Sequence, residues 1–405
     1  MKRAVVTGMG IVSANGCTVP SFWSSICRGE SCIREITRFS TKDFMYTRAG
    51  EITGFTLPPG LPPSVSSADI ATQFVLAAAS EAMKDSGLTG MNETDRNSTA
   101  VVLSTNFGGA VSGEKILFPS DGSDSSTGSV RSFSEYNFLS AADHVASTWN
   151  LTGPRTVLSL SCSSGSAAIG YALDLIRCGR ADIVFAGGYD ALSRFAWSGL
   201  SVLRTMAKDA VRPFDLNRAG TIFSEGAGVL IIEEHDQAVK RGAHIYAEVA
   251  GWGANNNAHH MTAPAPMGKG SAEVMKLALA DSGISPDEID HINAHGTGTK
   301  PNDLTETQAI KTVFGERYKQ VPVTSIKSST GHLMGAAGSA EAIASILSIR
   351  DGIIPPTINY KDPDPECDVF LAANVKMERK IRTVISNSAG IGGCNAAVVF
   401  RSTDR

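Results

Sequence analysis

Val157-Leu-Ser-Leu-Ser-Cys162-Ser-Ser-Gly-Ser-Ala-Ala-Ile-Gly-Tyr-Ala-Leu-Asp-Leu-Ile176 is the stretch that decides the fold. It opens with apolar, β-favouring residues and continues with a pattern typical of an amphipathic helix. The apolar residues that recur at helical spacing are Ala168, Tyr171, Ala172 and Leu175. This order predicts a buried strand, a helix, and Cys162 at their junction.

Cys162 is expected at or near the first turn of that helix. A thiol there meets the positive end of the helix dipole and several unpaired backbone N–H groups. Such a position can lower the pKa of a cysteine from about 8.5 to roughly 3.5–7.5, which favours a nucleophile. The alternative is a buried structural cysteine, the usual fate of a free one.

The composition limits the classes of protein that fit. The chain has 405 residues, 42% of them hydrophobic, and a formal net charge of −4, which argues against nucleic-acid binding. Seven scattered cysteines, an odd number without zinc-site spacing, indicate a reducing compartment rather than a disulfide framework. No apolar run has the length of a membrane span, so we expect a soluble cytoplasmic protein.

Strand-like runs alternate with helical runs along the chain. The strand-like runs are Ala4–Thr7, Thr99–Ser104, Thr156–Leu160, Asp182–Ala186 and Val229–Glu233. The helical runs are Ala71–Asp85 and Ser164–Ile176. This alternation predicts an α/β fold with a buried sheet.

Two glycine-containing segments allow other interpretations. The pair Gly8 and Gly10 resembles part of a dinucleotide-binding fingerprint, but the third glycine is missing and no helix clearly follows. The segment Phe107–Phe133 is rich in Gly, Ser and Asp, which predicts a long surface excursion.

The second half of the chain faintly repeats the first. The segments Ala79–Gly87 and Leu277–Gly283 are both typical of a helix that ends in Ser-Gly, and each precedes a strand-like run. Such duplication predicts two similar halves, and we place their boundary near Ala243. The predicted division is residues 1–243 and 244–405.

The Cys162 stretch has its own counterpart in the second half. A strand-like run at Val323–Ile326 is followed by the small-residue segment Gly331–Glu341, which contains His332. Two equivalent halves would place Cys162 and His332 in equivalent positions, each at the start of a helix.

Two further polar groups lie in small-residue loops. His295 follows an apolar run at the end of a predicted strand, where sites tend to form. Lys327 precedes Ser-Ser-Thr-Gly-His332 in a loop that we expect to be semi-buried. Alone, each histidine fits a structural hydrogen-bonding role, and the lysine fits a solvated charge. Together with a helix-start cysteine, they indicate a catalytic site.

Four segments together resemble the signature of the β-ketoacyl-[acyl-carrier-protein] synthases of the elongating, KAS II-like type. They are Cys162, His295-Gly-Thr-Gly-Thr, Lys327-Ser-Ser-Thr-Gly-His332 and Gly390-Ile-Gly-Gly-Cys-Asn. The resemblance runs from the first strand to Phe400. It implies a thiolase-like fold in which the N-terminal half carries the cysteine and the C-terminal half both histidines, with a five-layered αβαβα core.

The resemblance also implies a reaction and its partners. The reaction is a decarboxylative Claisen condensation of an acyl chain, held on Cys162, with malonyl-acyl carrier protein. No cofactor or metal is bound, and the substrates travel on the phosphopantetheine of the carrier. The enzyme works as a homodimer, or as a heterodimer with a homologous chain-length-factor subunit.

The roles that the resemblance implies fall on named residues. His295 and His332 donate hydrogen bonds to the malonyl enolate, and Lys327 pairs with Glu341. The backbone N–H groups of Cys162 and Ile391 hold the oxyanion. The resemblance also implies roles for five further residues. Gly392 belongs to the gating loop, Thr297 and Thr299 bind the pantetheine arm, and Asp303 and Glu306 support the site.

Some features depart from the family pattern or leave it open. Ile391 and Ala389 stand where aromatic residues are usual, which suggests a looser gate or an unusual acyl chain. Cys394 lies in the last glycine loop, so a second, thiolase-like cysteine is a minor alternative. The candidates for carrier docking are Arg204, Lys208 and Arg212, although a solvated charged face explains them equally well.

Three segments resemble the ketosynthase α subunits of type II polyketide synthases, namely Asn302–Thr307, Asp364–Asp368 and Ser112–Ser126. We therefore expect the catalytic ketosynthase of such a system. The alternatives are a housekeeping fatty-acid β-ketoacyl-acyl-carrier-protein synthase II, a non-catalytic partner that sets chain length, and a hydrolase or acyltransferase that uses Cys162 alone. A serine hydrolase is disfavoured because the chain contains no G-x-S-x-G motif.

Overall fold

A computed structural model describes residues 1–117 and 132–403. Most of the Gly/Ser-rich part of the predicted excursion at Phe107–Phe133, and the second half of Ser112–Ser126, lie outside the described residues. The strands are β1 (Ala4–Ser13), β2 (Arg34–Glu35), β3 (Arg48–Ala49), β4 (Thr99–Ser104), β5 (Arg155–Leu158), β6 (Ile183–Asp190), β7 (Gly226–Glu234), β8 (Ala247–Asn256), β9 (His291–Asn293), β10 (Val323–Thr324), β11 (Ile353–Ile354), β12 (Met377–Glu378), β13 (Thr383–Ala389) and β14 (Cys394–Arg401).

The helices alternate with these strands. They are α1 (Val19–Cys27), α2 (Ile70–Asp85), α3 (Glu93–Ser98), α4 (Ala110–Leu117), α5 (Ser140–Trp149), α6 (Ser164–Arg177), α7 (Arg194–Val202), α8 (His235–Lys240), α9 (Lys269–Ser282), α10 (Lys300–Phe314), α11 (Lys327–Thr330) and α12 (Ala337–Asp351). None of the described helices has the length and apolar character that crossing a membrane requires.

Ten strands form one sheet in the order β10-β9-β13-β14-β8-β1-β7-β6-β4-β5. Its two sides are joined by a short antiparallel contact in which Ala4–Val6 of β1 faces Ala247–Val249 of β8. On each side of this contact, three parallel strands are followed by two antiparallel ones. The strand order therefore repeats, while the division at residue 243 remains a prediction.

Helices α6 and α12 pack between the two sides of the sheet. Their apolar residues, such as Ile169 and Ile343, share one buried cluster with Val184 of β6 and Val384 of β13. Helices α2 and α5 cover the outer face of one side, and α9 and α10 cover the outer face of the other. The predicted five-layered αβαβα arrangement is confirmed.

The two central helices approach closely through small residues. A Cβ atom on Gly165 of α6 would lie 2.7 Å from the backbone nitrogen of Ser339 in α12. A Cβ atom on Gly338 of α12 would likewise overlap Ser166 of α6. Since close-packed interiors have no room for an added atom at such points, glycine fixes the spacing of the central layer.

Strand β1 is longer than the predicted Ala4–Thr7 and continues to Ser13. Beyond the contact with β8, the backbone N–H groups of Met9 and Ile11 donate to Asp85 and Glu81 of α2, each at 2.9 Å. These carboxylates replace the acceptors of a neighbouring strand. The apolar residues Met9, Ile11 and Val12 continue the strand pattern of the N-terminus, although Gly8 and Gly10 interrupt it.

The two glycines of the candidate dinucleotide fingerprint, Gly8 and Gly10, lie inside β1 rather than in a loop. A Cβ atom on either would overlap a backbone carbonyl oxygen of α2, that of Ala82 or Ala78. The dinucleotide interpretation is therefore wrong, because these glycines allow close helix–strand packing.

We expect Gly10→Ala to lower the free energy of unfolding by about 1–3 kcal/mol, because neither backbone can move away from the added methyl group. The control is Gly199→Ala in α7, where an added Cβ meets no atom within 4 Å. That change should be neutral or raise the free energy of unfolding by up to about 1 kcal/mol. Urea unfolding measures both, and equal midpoints for Gly10→Ala and the unchanged chain would refute the packing argument.

Candidate active site

One cavity of about 320 Å³ brings together side chains that are far apart in the sequence. Cys162, His295 and His332 all line it. Four further predicted residues line it as well, namely Thr297, Thr299, Ile391 and Arg204. The predicted residues that do not line it are Lys327, Glu341, Asp303, Glu306, Gly392, Lys208 and Arg212.

A tight turn between β5 and α6 presents Cys162. Ser161 has a φ of +54°, a left-handed conformation that is uncommon for a residue with a side chain. The turn is held by the Ser164 hydroxyl, which donates to the Ser161 carbonyl at 2.5 Å and accepts from the Leu160 N–H at 2.7 Å. Cys162 thus lies immediately before the N-cap residue of α6, close to the predicted position.

The pKa of Cys162 is raised, because the thiol is buried and burial disfavours the thiolate. A hydrogen bond from Ser161, the charge of Lys327 and the N–H of Ile391 all act in the opposite direction, but burial is the larger effect. The predicted lowering by the helix N-terminus is therefore wrong. The sequence shows the helix start but not the depth of burial.

The glycine loop between β13 and β14 approaches Cys162 from the other side. The backbone N–H of Ile391 lies close enough to the Cys162 sulfur to favour its thiolate. A Cβ atom on Gly390 would lie 3.1 Å from the Cys162 nitrogen, so only glycine permits this approach. The loop is fixed by hydrogen bonds from the Gly392 N–H to the Met261 carbonyl at 2.9 Å and from the Gly390 N–H to the Cys394 carbonyl at 2.7 Å.

His295 lies just beyond the end of β9 and is held through its backbone and its ring. The N–H groups of His295 and Gly296 donate to the two carboxylate oxygens of Glu306 at 2.8 and 2.7 Å. The Asn387 amide donates to the same carboxylate at 2.7 Å. The ring nitrogen Nδ1 of His295 lies 3.3 Å from the Lys327 ammonium.

His332 is held by the segment that precedes β7. Its N–H donates to the Ile222 carbonyl at 2.8 Å, and its carbonyl accepts from the Ser224 N–H at 2.9 Å. The Phe223 ring lies beside the imidazole at a centroid distance of 5.4 Å. The two imidazoles of His332 and His295 meet edge to face, also at 5.4 Å.

These contacts define the protonation of both rings. Nδ1 of His332 accepts from the Met334 N–H at 3.2 Å, and Nδ1 of His295 faces a donor, the Lys327 ammonium. The proton of each neutral ring therefore resides on Nε2. Burial and the charge of Lys327 hold both pKa values well below the usual range, so both rings are neutral at pH 7. Among the described residues, Nε2 of His332 has no partner.

Lys327 lies on α11 behind the two histidines and forms a buried ion pair with Glu341 of α12. Both side chains are at most 2% exposed, so the lysine is not the solvated charge that was one alternative. Burial raises the pKa of the Glu341 carboxyl, and the Lys327 ammonium opposes that rise.

Asp303 and Glu306, both on α10, shape the loop that follows His295. Asp303 accepts from the Gly298 N–H at 3.2 Å and from the Phe214 N–H at 2.8 Å, and burial raises its pKa to about 7. The hydroxyls of Thr297 and Thr299 lie 3.0 Å apart on the cavity side of this loop.

Three residues that hold this site were missed by the sequence analysis. Asp190, at the end of β6, accepts from the Phe107 N–H at 3.0 Å and the Gly335 N–H at 2.7 Å. Asn387 and Phe223 are the others. A carboxylate that ends an apolar strand was a usable signal for Asp190, whereas no local pattern marks Phe223 or Asn387.

The remaining predicted residues lie at or beyond the cavity rim. Arg204 is exposed and lines the opening, and Lys208 is exposed outside it. Arg212 forms an ion pair with Asp209. Cys394 accepts a hydrogen bond from the Asn256 amide at 3.4 Å and does not line the cavity, so nothing here favours a thiolase-like role.

Comparisons with known proteins agree with this geometry. The family models "Beta-ketoacyl synthase, N-terminal domain" and "Beta-ketoacyl synthase, C-terminal domain" match residues 1–238 and 246–361. The 3-oxoacyl-[acyl-carrier-protein] synthase 2 of Staphylococcus aureus (strain COL) is 37% identical, over 99% of this chain and 98% of its own length.

The names of two further relatives mention a polyketide synthase or a chain length factor. The tetracenomycin polyketide synthase ketoacyl synthase alpha subunit of Streptomyces glaucescens is 38% identical over 98% of this chain and 97% of its own. The solved ishigamide ketosynthase/chain length factor matches with a TM-score of 0.91 and 36% identity, over 99% of both chains.

We expect Lys327→Met to lower the free energy of unfolding by about 3–5 kcal/mol, because it leaves the Glu341 carboxylate buried without its partner. The double variant Lys327→Met/Glu341→Leu should recover most of that loss. As a control, Lys311→Met breaks the half-exposed pair with Asp368 and should cost at most about 1 kcal/mol. Urea unfolding measures all three. Equal losses in the single and double Lys327 variants would contradict the ion-pair argument.

Proposed function

The chain belongs to the β-ketoacyl synthase family, a family of acyltransferases, and we propose that it is the catalytic ketosynthase of a type II polyketide synthase. It would condense an acyl chain held on Cys162 with malonyl-acyl carrier protein. The observation that carries this proposal is the convergence of one thiol and two neutral imidazoles on a single cavity.

The first step would load the acyl chain onto Cys162. The sulfur attacks the thioester carbonyl, the bond to the carrier sulfur breaks, and the Cys162 proton ends on the departing carrier thiol. The oxyanion of the tetrahedral intermediate would lie between the N–H groups of Cys162 and Ile391. The contact between the Ile391 N–H and the Cys162 sulfur supports this placement.

The second step would release CO2 from the malonyl thioester and leave an enolate. The Nε2–H groups of His295 and His332 are suited to donate to the enolate oxygen, and one such donor is typically worth about 3–4 kcal/mol in the transition state. Because both imidazoles are neutral, they stabilise the developing charge as donors without giving up a proton. Burial and, to a smaller extent, the charge of Lys327 lower the pKa of both imidazoles and so maintain that neutrality.

The third step would form the carbon–carbon bond. The enolate carbon attacks the carbonyl of the acyl-Cys162 thioester, and the bond between that carbonyl and sulfur breaks. The leaving thiolate takes up one proton and restores the thiol, which its raised pKa favours. The product is a β-ketoacyl chain on the carrier.

The pathway is the finer part of the proposal. Similarity to the tetracenomycin ketoacyl synthase alpha subunit and to the ishigamide ketosynthase/chain length factor supports a polyketide system with a homologous partner subunit. A housekeeping fatty-acid β-ketoacyl-acyl-carrier-protein synthase II is the alternative, since the Staphylococcus aureus protein is equally similar. A purely non-catalytic partner subunit is disfavoured because Cys162, His295, His332 and Lys327 are all present.

We expect Cys162→Ala to abolish acyl loading, and His295→Ala or His332→Ala to load normally but to release CO2 about 10²–10³-fold more slowly, because each removes an enolate donor. Mass spectrometry of the acyl-enzyme and CO2 release from malonyl-carrier measure the two steps. The control is His244→Ala, since His244 packs on Tyr246 away from the cavity. Acyl loading of Cys162→Ala, or CO2 release by the histidine variants at the full rate, would refute these roles.

We expect the enzyme to extend one chain through several β-keto units when it is co-expressed with a homologous partner subunit and an acyl carrier protein. The measurement is the mass of the carrier-bound product and co-purification of the partner. Efficient single additions to saturated acyl-carriers by the chain alone would favour the fatty-acid alternative.

A further inference from the structure

One segment of backbone runs along the cavity wall from the rim towards the histidines. At its outer part, the Gly220 N–H donates to the Gly298 carbonyl at 2.9 Å, in the loop that carries Thr297 and Thr299. At its inner part, the Ile222 carbonyl accepts from the His332 N–H at 2.8 Å. Thr221 lies between these two points and lines the cavity.

The backbone of Thr221 is fully paired, whereas its hydroxyl is not. The Thr221 N–H donates to the Thr205 carbonyl at 2.9 Å, and its carbonyl accepts from the Ala207 N–H at 2.7 Å. The residue is 3% exposed, and its hydroxyl oxygen has no hydrogen-bond partner in the part of the chain that the structure describes. A buried hydroxyl without a partner costs about 1–3 kcal/mol, so a bound ligand that supplies the partner gains from it.

The surroundings of Thr221 show which ligand group would fit. The hydroxyls of Thr297 and Thr299 lie within hydrogen-bond distance of each other, and the next cavity residue inwards, Phe223, is apolar. The Thr221 hydroxyl oxygen is itself enclosed, so it reaches a ligand by rotation about χ1 to another of the staggered positions. A saturated acyl chain offers no hydrogen bond there, whereas an amide offers both a donor and an acceptor.

We propose that Thr221 is a further binding residue, whose hydroxyl forms a hydrogen bond with an amide of the phosphopantetheine arm. The arm would run along the cavity wall that the loop of Thr297 and Thr299 and the adjoining segment from Gly220 to Phe223 form together. This inference rests on the proposed function, since it takes the carrier thioester as the substrate. It adds a contact on the segment next to the two threonines to which the family resemblance assigns arm binding.

The test compares Thr221→Val, which keeps the shape and removes the hydroxyl, with Thr221→Ser, which keeps the hydroxyl. With acyl-enzyme and malonyl-CoA, which carries the same arm, Thr221→Val should raise KM for CO2 release about 3–10-fold and change kcat less than about twofold, as expected for one neutral hydrogen bond. Thr221→Ser should restore KM. Acylation of Cys162 by p-nitrophenyl hexanoate, which has no arm, should proceed at the unaltered rate in both variants.

Each outcome bears on one of the two proposals. An unchanged KM in Thr221→Val, an equal loss with the arm-free ester, or no recovery in Thr221→Ser would overturn the role of Thr221, because each indicates a structural effect or none. Failure of the unchanged enzyme to release CO2 from malonyl-CoA and from malonyl-carrier would instead refute the proposed function.

Discussion

The buried ion pair between Lys327 and Glu341 is the interaction on which the site depends. The lysine charge acts on all three cavity groups, since it favours the thiolate of Cys162 and disfavours protonation of His295 and His332. One ammonium ion thus adds to the effect of burial in keeping both imidazoles as neutral donors, and it assists the nucleophile. Glu341 makes such a charge tolerable in the interior, because a buried ion needs a partner.

The packing of α6 against α12 in the central layer brings residues from both sides of the sheet to one site. Cys162 lies just before α6, and His332 lies just before the turn that leads into α12. Because Gly165 and Gly338 allow these helices to pack closely, their starts open onto the same cavity. The third group, His295, reaches the cavity from the end of β9 and is aligned by Glu306.

Local patterns in the sequence were sufficient to predict the α/β class, whereas the layered core and the convergence of Cys162, His295 and His332 were implied by the motifs that resemble the β-ketoacyl synthases. The sequence was insufficient for properties that depend on how deeply a side chain is buried and on contacts with residues distant in the chain. The raised pKa of Cys162 reflects burial by the whole fold. The His332 ring is packed against Phe223, a residue that no motif marks. The unpaired hydroxyl of Thr221 likewise becomes visible only once its neighbours are placed.

The carboxylates of Glu81 and Asp85 that bind the Ile11 and Met9 N–H groups have a consequence beyond the length of β1. Where β1 parts from β8, these N–H groups would otherwise have no acceptor, since β1 is buried along its whole length. A buried donor without an acceptor costs about 1–3 kcal/mol. The two acidic side chains of α2 therefore allow the two sides of the sheet to diverge beyond Val6 without that cost.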